Sequence, residues 1–216
     1  MKKKLLIFDL DGTLINTVED LRNAVNFALN KFNYPLRTIE NTTNDIGNGV
    51  AKLIERSIPG GLNNPNYSEW LRIFREYYVD HYLDTSRPYP KVEKTLKILK
   101  QRGYHLAVVS NKFDEGAKTL VTFCLPNLFE TIQGAIPELH HKPSPDLVNK
   151  VLQELSFTPQ ESLYIGDTEV DYQTAQNSNV DCVLVSQGYR TKEQLLERTK
   201  NSPIIDDLSE LIDLLD

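Results

Sequence analysis

Short apolar runs recur along this chain, and most are followed by a helical pattern. Residues 5–10, 105–110, 131–134, 162–165, 181–186 and 203–205 read as strands. Residues 91–102, 114–123, 144–155, 169–177, 191–199 and about 208–214 read as helices. Strands that alternate with helices are joined by right-handed crossovers, which build a parallel sheet with helices on both faces. Residues 16–85 break the alternation. They carry three helical patterns, 18–32, 50–57 and 67–83, and no strand. Within the last, Trp70, Phe74, Tyr77 and His81 fall at helical spacing, as packing residues of a small bundle would. Pro88 and Pro90 disfavour helix before them and mark a hinge where the sheet resumes.

The expected fold is therefore α/β: a three-layer α/β/α, Rossmann-like parallel sheet core over residues 1–15 and 86–216, with an all-helical domain inserted over 16–85. A chain of 216 residues is long enough for both. Its net charge of −6 argues against nucleic acid as a partner. The four apolar residues after Lys4 are too few for a signal peptide, and no run is long enough for a bilayer. Cys124 and Cys182 stand far apart in apolar contexts and read as reduced packing thiols. A cytoplasmic protein, monomer or homodimer, is expected.

The first strand runs into Asp9-Leu10-Asp11-Gly12-Thr13. Residues two apart in an extended segment point the same way, so Asp9 and Asp11 share a side at the carboxyl end of a strand. That end is where open parallel sheets bind ligands. Two adjacent carboxylates repel, and a bound cation or a retained proton relieves them. Asp-Gly alone is also an ordinary turn, but other strand ends carry matching groups. Ser110 and Asn111 follow the second strand and offer a hydroxyl and backbone N–H groups to an anion. Lys142 lies in the stiff loop Lys142-Pro143-Ser144-Pro145, and Asp167 and Asp171 follow another strand. Asp9, Asp11 and Asp167 are hard oxygen ligands suited to Mg²⁺, and Ser110 and Lys142 are donors suited to phosphate. His140 and His141 have no partner ligands at a useful spacing and read as surface loop.

These motifs resemble the haloacid dehalogenase superfamily, in its phosphatase branch with a helical cap after the first strand. "DLDGTL", "VVSNK", "KPSP" and "IGDTEVD" stand in the family's order, each behind an apolar segment. The resemblance implies that Asp9 is the nucleophile and Asp11 the general acid/base. It implies that the carboxylates of Asp9 and Asp167 and the backbone carbonyl of Asp11 hold Mg²⁺. Asp171 would support the metal shell or pair with the lysine. Ser110, Asn111 and Lys142 would bind phosphate. A carboxylate meeting a phosphate anion at ~4 Å is opposed by about 4 kcal/mol per charge pair at an effective dielectric of ~20, which Mg²⁺ and a lysine reverse. Dehalogenase members generally lack an aspartate at the position of Asp11, so phosphoryl chemistry is expected. Two positions depart from the usual pattern: Asn16, where an acidic residue is common, and Glu169-Val170 ahead of Asp171.

In capped relatives the loop between the first cap helices reads the leaving group. Here "IGNGVAKLIERSI" is similar to the corresponding stretch of bacterial phosphoglycolate phosphatases, which makes Asn48 and Lys52 candidates for substrate contact. The expected function is a Mg²⁺-dependent phosphatase of a small phosphorylated metabolite, with 2-phosphoglycolate foremost. A phosphosugar phosphatase or phosphomutase, or a catalytically silent capped binding module, would share the scaffold.

Overall fold

The computed structural model describes residues 3–47, 49–200 and 202–215. In chain order the elements are β1 (Leu5–Phe8), β2 (Ile15–Asn16), α1 (Val18–Lys31), α2 (Ile39–Asp45), α3 (Val50–Ser57), α4 (Tyr67–His81) and β3 (Arg87–Pro88). There follow α5 (Val92–Gln101), β4 (His105–Phe113), α6 (Asp114–Cys124), β5 (Thr131–Ala135), α7 (Asp146–Leu155) and β6 (Ser162–Gly166). The chain finishes with α8 (Glu169–Asn177), β7 (Asp181–Val185), α9 (Lys192–Arg198), β8 (Ile204–Ile205) and α10 (Leu211–Leu214). It divides into two compact units, Met1–Ile15 with Pro88–Asp216, and Asn16–Arg87.

The first unit is built on a six-stranded parallel sheet in the order β5-β4-β1-β6-β7-β8. β1 is central, with Phe8 opposite Val108 on one side and Ile165 on the other. All four of its residues are fully buried, as a strand covered on both faces requires. Each such side chain contributes roughly 2 kcal/mol of burial. Leu5 and Ile7 point to one face, where they pack with Val148 and Val151 of α7, Ala175 of α8 and Leu195 of α9. Leu6 and Phe8 point to the other, where Phe8 meets the edge of Phe129 with ring centroids 6.2 Å apart. Because the chain passes from β1 to β4 on one side and later to β6 on the other, the sheet has its switch point at β1, and its carboxyl ends make the crevice.

Two local features depart from the sequence expectation. β4 continues past Ser110 to Phe113 because its pairing with β5 shifts register between Val109 and Phe113, a bulge that carries the strand three residues further. α7 begins at Asp146, not 144, with Pro145 as its N-cap, and the Asp146 carboxylate accepts from both the backbone N–H and Nδ1 of His140 at 3.0 and 2.9 Å. α6 opens with Asp114, directly after Phe113 as N-cap, and the Asp114 carboxylate accepts from the Gly134 N–H at 3.1 Å. The exposed His140 and its neighbour remain a surface loop. Cys182 is buried and Cys124 half-buried, neither in a disulfide, and no helix of the described residues is long and apolar enough to cross a membrane.

The second unit is helical except at its two ends, where Asn16 belongs to β2 and Arg87 to β3, short strands that the sequence pattern did not show. α1 buries Leu21, Ala24, Val25, Ala28 and Leu29, an apolar stripe at 3.6-residue spacing that packs on α4. On α4 the buried ridge is Trp70, Phe74 and Tyr78, while Tyr77 and His81 sit beside it in a stack on Phe27. α2 was not expected, since "IENTTND" has weak helical propensity. It forms because Thr38 and Asn41 make a reciprocal capping box and because the Asn26 side chain holds the Arg37 backbone from α1. The carboxylate of Asp20, at the start of α1, is fully buried and accepts from the N–H and hydroxyl groups of both Thr85 and Ser86. That contact ties the first turn of the unit to its last segment.

Candidate active site

Asp9 directly follows β1, and its N–H donates to Ile165 O at 2.9 Å, extending the sheet by one residue and burying the side chain. The chain then turns back, with Gly12 N–H on Ile15 O at 2.9 Å and Leu14 N–H on Leu10 O at 3.0 Å. Gly12 has φ of +90°, and a Cβ there would collide with the Asp167 carboxylate and the Tyr189 ring. Gly188, just past β7, likewise leaves room for the Gly12 carbonyl and for Asp167. Two glycines thus let loops from distant strands close around one aspartate.

Asp167 and Asp171 frame the start of α8. Asp167 Oδ1 accepts from the Thr13 hydroxyl at 2.8 Å, and Oδ2 from the Tyr189 N–H at 2.8 Å. Asp171 Oδ2 accepts from the Thr168 hydroxyl at 2.7 Å and its N–H at 3.1 Å, capping the helix. Its Oδ1 accepts from Lys142 Nζ at 2.8 Å. The same ammonium lies 2.7 Å from Asp9 Oδ1 and donates to the Tyr164 hydroxyl at 3.2 Å. The loop that carries Lys142 is pinned by Asn111, whose side chain accepts from Lys142 N–H at 2.7 Å and donates to Lys142 O at 3.1 Å. Ser110 is buried beside it, its hydroxyl accepting from the Lys112 N–H at 3.1 Å. Lys112 Nζ in turn stands 3.4 Å from Asp11 Oδ1.

Three buried carboxylates and a buried ammonium in one cluster set the electrostatics. Burial, then the Asp171 charge, pushes Asp9 well above the carboxylate range, although Lys142 opposes the shift. Burial, then Asp171, raises Asp167 to about 7. Burial would lower Lys142, but Asp171 and Asp9 outweigh it and keep the ammonium charged to high pH. Carboxylate oxygens of Asp9, Asp167 and Asp171 all lie within 4.8 Å of one another. A set of hard oxygen donors, left with excess negative charge by a single ammonium, fits a small divalent cation.

The sequence-derived residues fall as follows. Asp9, Asp167, Asp171 and Lys142 are in one cluster, and Asp11, Ser110 and Asn111 adjoin it through Lys112 and the Lys142 loop. The Asn111 side chain acts on the protein's own backbone, a task its position behind Ser110 did not suggest. Lys52 lies in the second unit, where its ammonium pairs with Glu55 at 2.6 Å. Asn48 lies outside the described residues. Sequence reasoning passed over Thr13, Tyr164, Gly188 and Tyr189. A glycine just past an apolar strand, in Ser186-Gln187-Gly188-Tyr189, was the available signal for the last two.

The family model for haloacid dehalogenase-like hydrolases matches residues 6–185, which include Asp9, Asp11, Ser110, Asn111, Lys112, Lys142, Asp167 and Asp171 and end short of Gly188 and Tyr189. The chain belongs to the haloacid dehalogenase-like hydrolase family. Among curated members of the family, a phosphoglycolate phosphatase of Aquifex aeolicus is 32% identical over 215 residues, covering 99% of this chain and 97% of that protein. One from Haemophilus influenzae strain Rd is 32% identical over 222 residues, covering 98% of each. A solved structure from Lactobacillus delbrueckii subsp. bulgaricus superposes with a TM-score of 0.91 at 31% identity, covering 99% of this chain and 98% of that one.

Proposed function

We propose that this protein is a Mg²⁺-dependent phosphatase of a small phosphorylated metabolite, 2-phosphoglycolate first among them, working through an aspartyl phosphate on Asp9. The observation that carries the reading is the Asp9–Lys142–Asp171 arrangement at the carboxyl end of β1, with Asp11 two residues on. The names of the full-length relatives support the substrate. Asp9 attacks phosphorus, the ester P–O bond breaks, and Asp11 delivers a proton to the departing oxygen. Asp11, now a carboxylate, takes a proton from water as that water attacks phosphorus and the bond to Asp9 breaks. Ser110, the Asn111 N–H and Lys142 hold the phosphate oxygens. Asp9, Asp167 and the Asp11 carbonyl would hold Mg²⁺, which when bound supplies positive charge against the phosphate. Asp171 holds Lys142 in place.

The test is a phosphate-release screen over small phosphorylated metabolites with Mg²⁺. Free phosphate, with 2-phosphoglycolate preferred, is expected. An isomerised sugar phosphate in place of free phosphate would point to a mutase, and no release from any ester would leave a binding module.

Metal binding should be coupled to a proton. With Asp167 near 7, Mg²⁺ competes with that proton, so affinity should fall about tenfold between pH 8 and pH 6. The same raised carboxyl makes the metal-free fold most stable at low pH. Its contribution is full below the unfolded value near 3.8 and is lost as pH rises through about 7. EDTA-treated protein should therefore melt lower at pH 8 than at pH 6, and Mg²⁺ should restore more at pH 8. Calorimetric titrations and melting curves at the two pH values measure both, and a pH-independent Mg²⁺ affinity would remove Asp167 from the ligand set.

A further inference from the structure

The site contains a second buried cation to which the mechanism assigns no task. The side chain of Lys112 is only 3% exposed, and its ammonium stands 3.4 Å from Asp11 Oδ1. Burying an ammonium is costly unless an anion meets it, so its place beside Asp11 requires an account. The fold goes to some length to put it there. β4 bulges between Val109 and Phe113, and within that bulge the Ser110 hydroxyl accepts the Lys112 N–H. The neighbouring strand makes room with Gly134, where a Cβ would collide with the Asp114 backbone and the Lys112 carbonyl. One irregularity thus aims Ser110, Asn111 and Lys112 together. The Asp11 side chain, 18% exposed, is the less confined of the two facing aspartates, and Asp9 is held by Lys142.

We infer that Lys112 is a positioning residue for Asp11, holding its carboxylate over the leaving oxygen and the incoming water. The inference rests on the phosphatase reading above, in which Asp11 transfers the proton in both steps. Lys112 does not exchange protons or touch phosphate in this account. It restricts the directions the Asp11 carboxylate can take, and so it acts on turnover and not on substrate binding.

The experiment compares Lys112→Met in the wild-type and Asp11→Asn backgrounds. With 4-nitrophenyl phosphate, whose leaving group needs little protonation, rapid mixing separates the nitrophenol burst from decay of the phosphoenzyme. Lys112→Met should keep the burst, slow phosphoenzyme decay and with it kcat about 100-fold, and leave kcat/KM within about threefold, KM falling together with kcat. In the Asp11→Asn background it should add no further slowing. Equal slowing in both backgrounds, an unchanged decay, loss of the burst, or a raised KM with full turnover would each overturn the inference. Circular dichroism checks folding; should the methionine variant not fold, Lys112→Gln is read by the same assay. Wild-type protein that forms no phosphoenzyme with Mg²⁺ would defeat the phosphatase reading itself, a result distinct from failure of the Lys112 step.

Discussion

Replacing Asp9 by asparagine should lower phosphate release by about 10⁴-fold or more while leaving the fold intact. Asparagine is nearly isosteric but cannot form the acyl phosphate. Stability should not fall with activity. Asp9 is buried among like charges, with Asp171 and Asp167 both opposing its ionisation. Removing one carboxylate relieves that repulsion, and Lys142 keeps Asp171 at 2.8 Å as its partner. Melting temperature should therefore be unchanged or higher in metal-free protein. Steady-state release and a melting curve on the same sample check both halves. Undiminished Mg²⁺-dependent release in this variant would falsify the covalent route.

Lys142→Met should lose activity and stability together. The ammonium stands between Asp9 and Asp171 at 2.7 and 2.8 Å, with side-chain exposures of 3%, 11% and 0% for the three groups. Taking away the ammonium that lies between these two carboxylates strands buried negative charge, which costs about 3–5 kcal/mol. For a chain of this size each kcal/mol corresponds to ~2–4 °C, so the first unit should melt roughly 6–20 °C lower. Without the lysine, which opposes the shift, the Asp9 carboxyl rises further. The deficit should then be small at pH 5, where Asp9 holds a proton, and largest at pH 8. Melting curves of metal-free protein at the two pH values test this. A loss of activity without loss of stability would mean that Lys142 serves phosphate alone.

Much of this architecture is local in origin. The apolar run at Leu5–Phe8, buried on both faces, declares a central strand without reference to any partner. The stripe on α1 declares its core face in the same way. α2 escaped notice because its stability comes from a cap and from Asn26 on another helix, neither of which is visible as periodicity. The bulge in β4 was equally hidden, since it depends on how Ser110, Asn111 and Lys112 meet β5 and the Lys142 loop.

By itself the sequence determined the strand–helix alternation, the family and the kinds of functional group at the strand ends, because residue spacing and side-chain chemistry are properties of short segments. Only the tertiary structure decided which groups meet. It paired Lys142 with Asp9 and Asp171, set Lys112 against Asp11, and wrapped Asp167 with Thr13 and the Tyr189 N–H. Those pairings join residues far apart in the chain. Charge interactions and hydrogen bonds act over a few ångströms, and such distances exist only once the sheet has brought its carboxyl ends together.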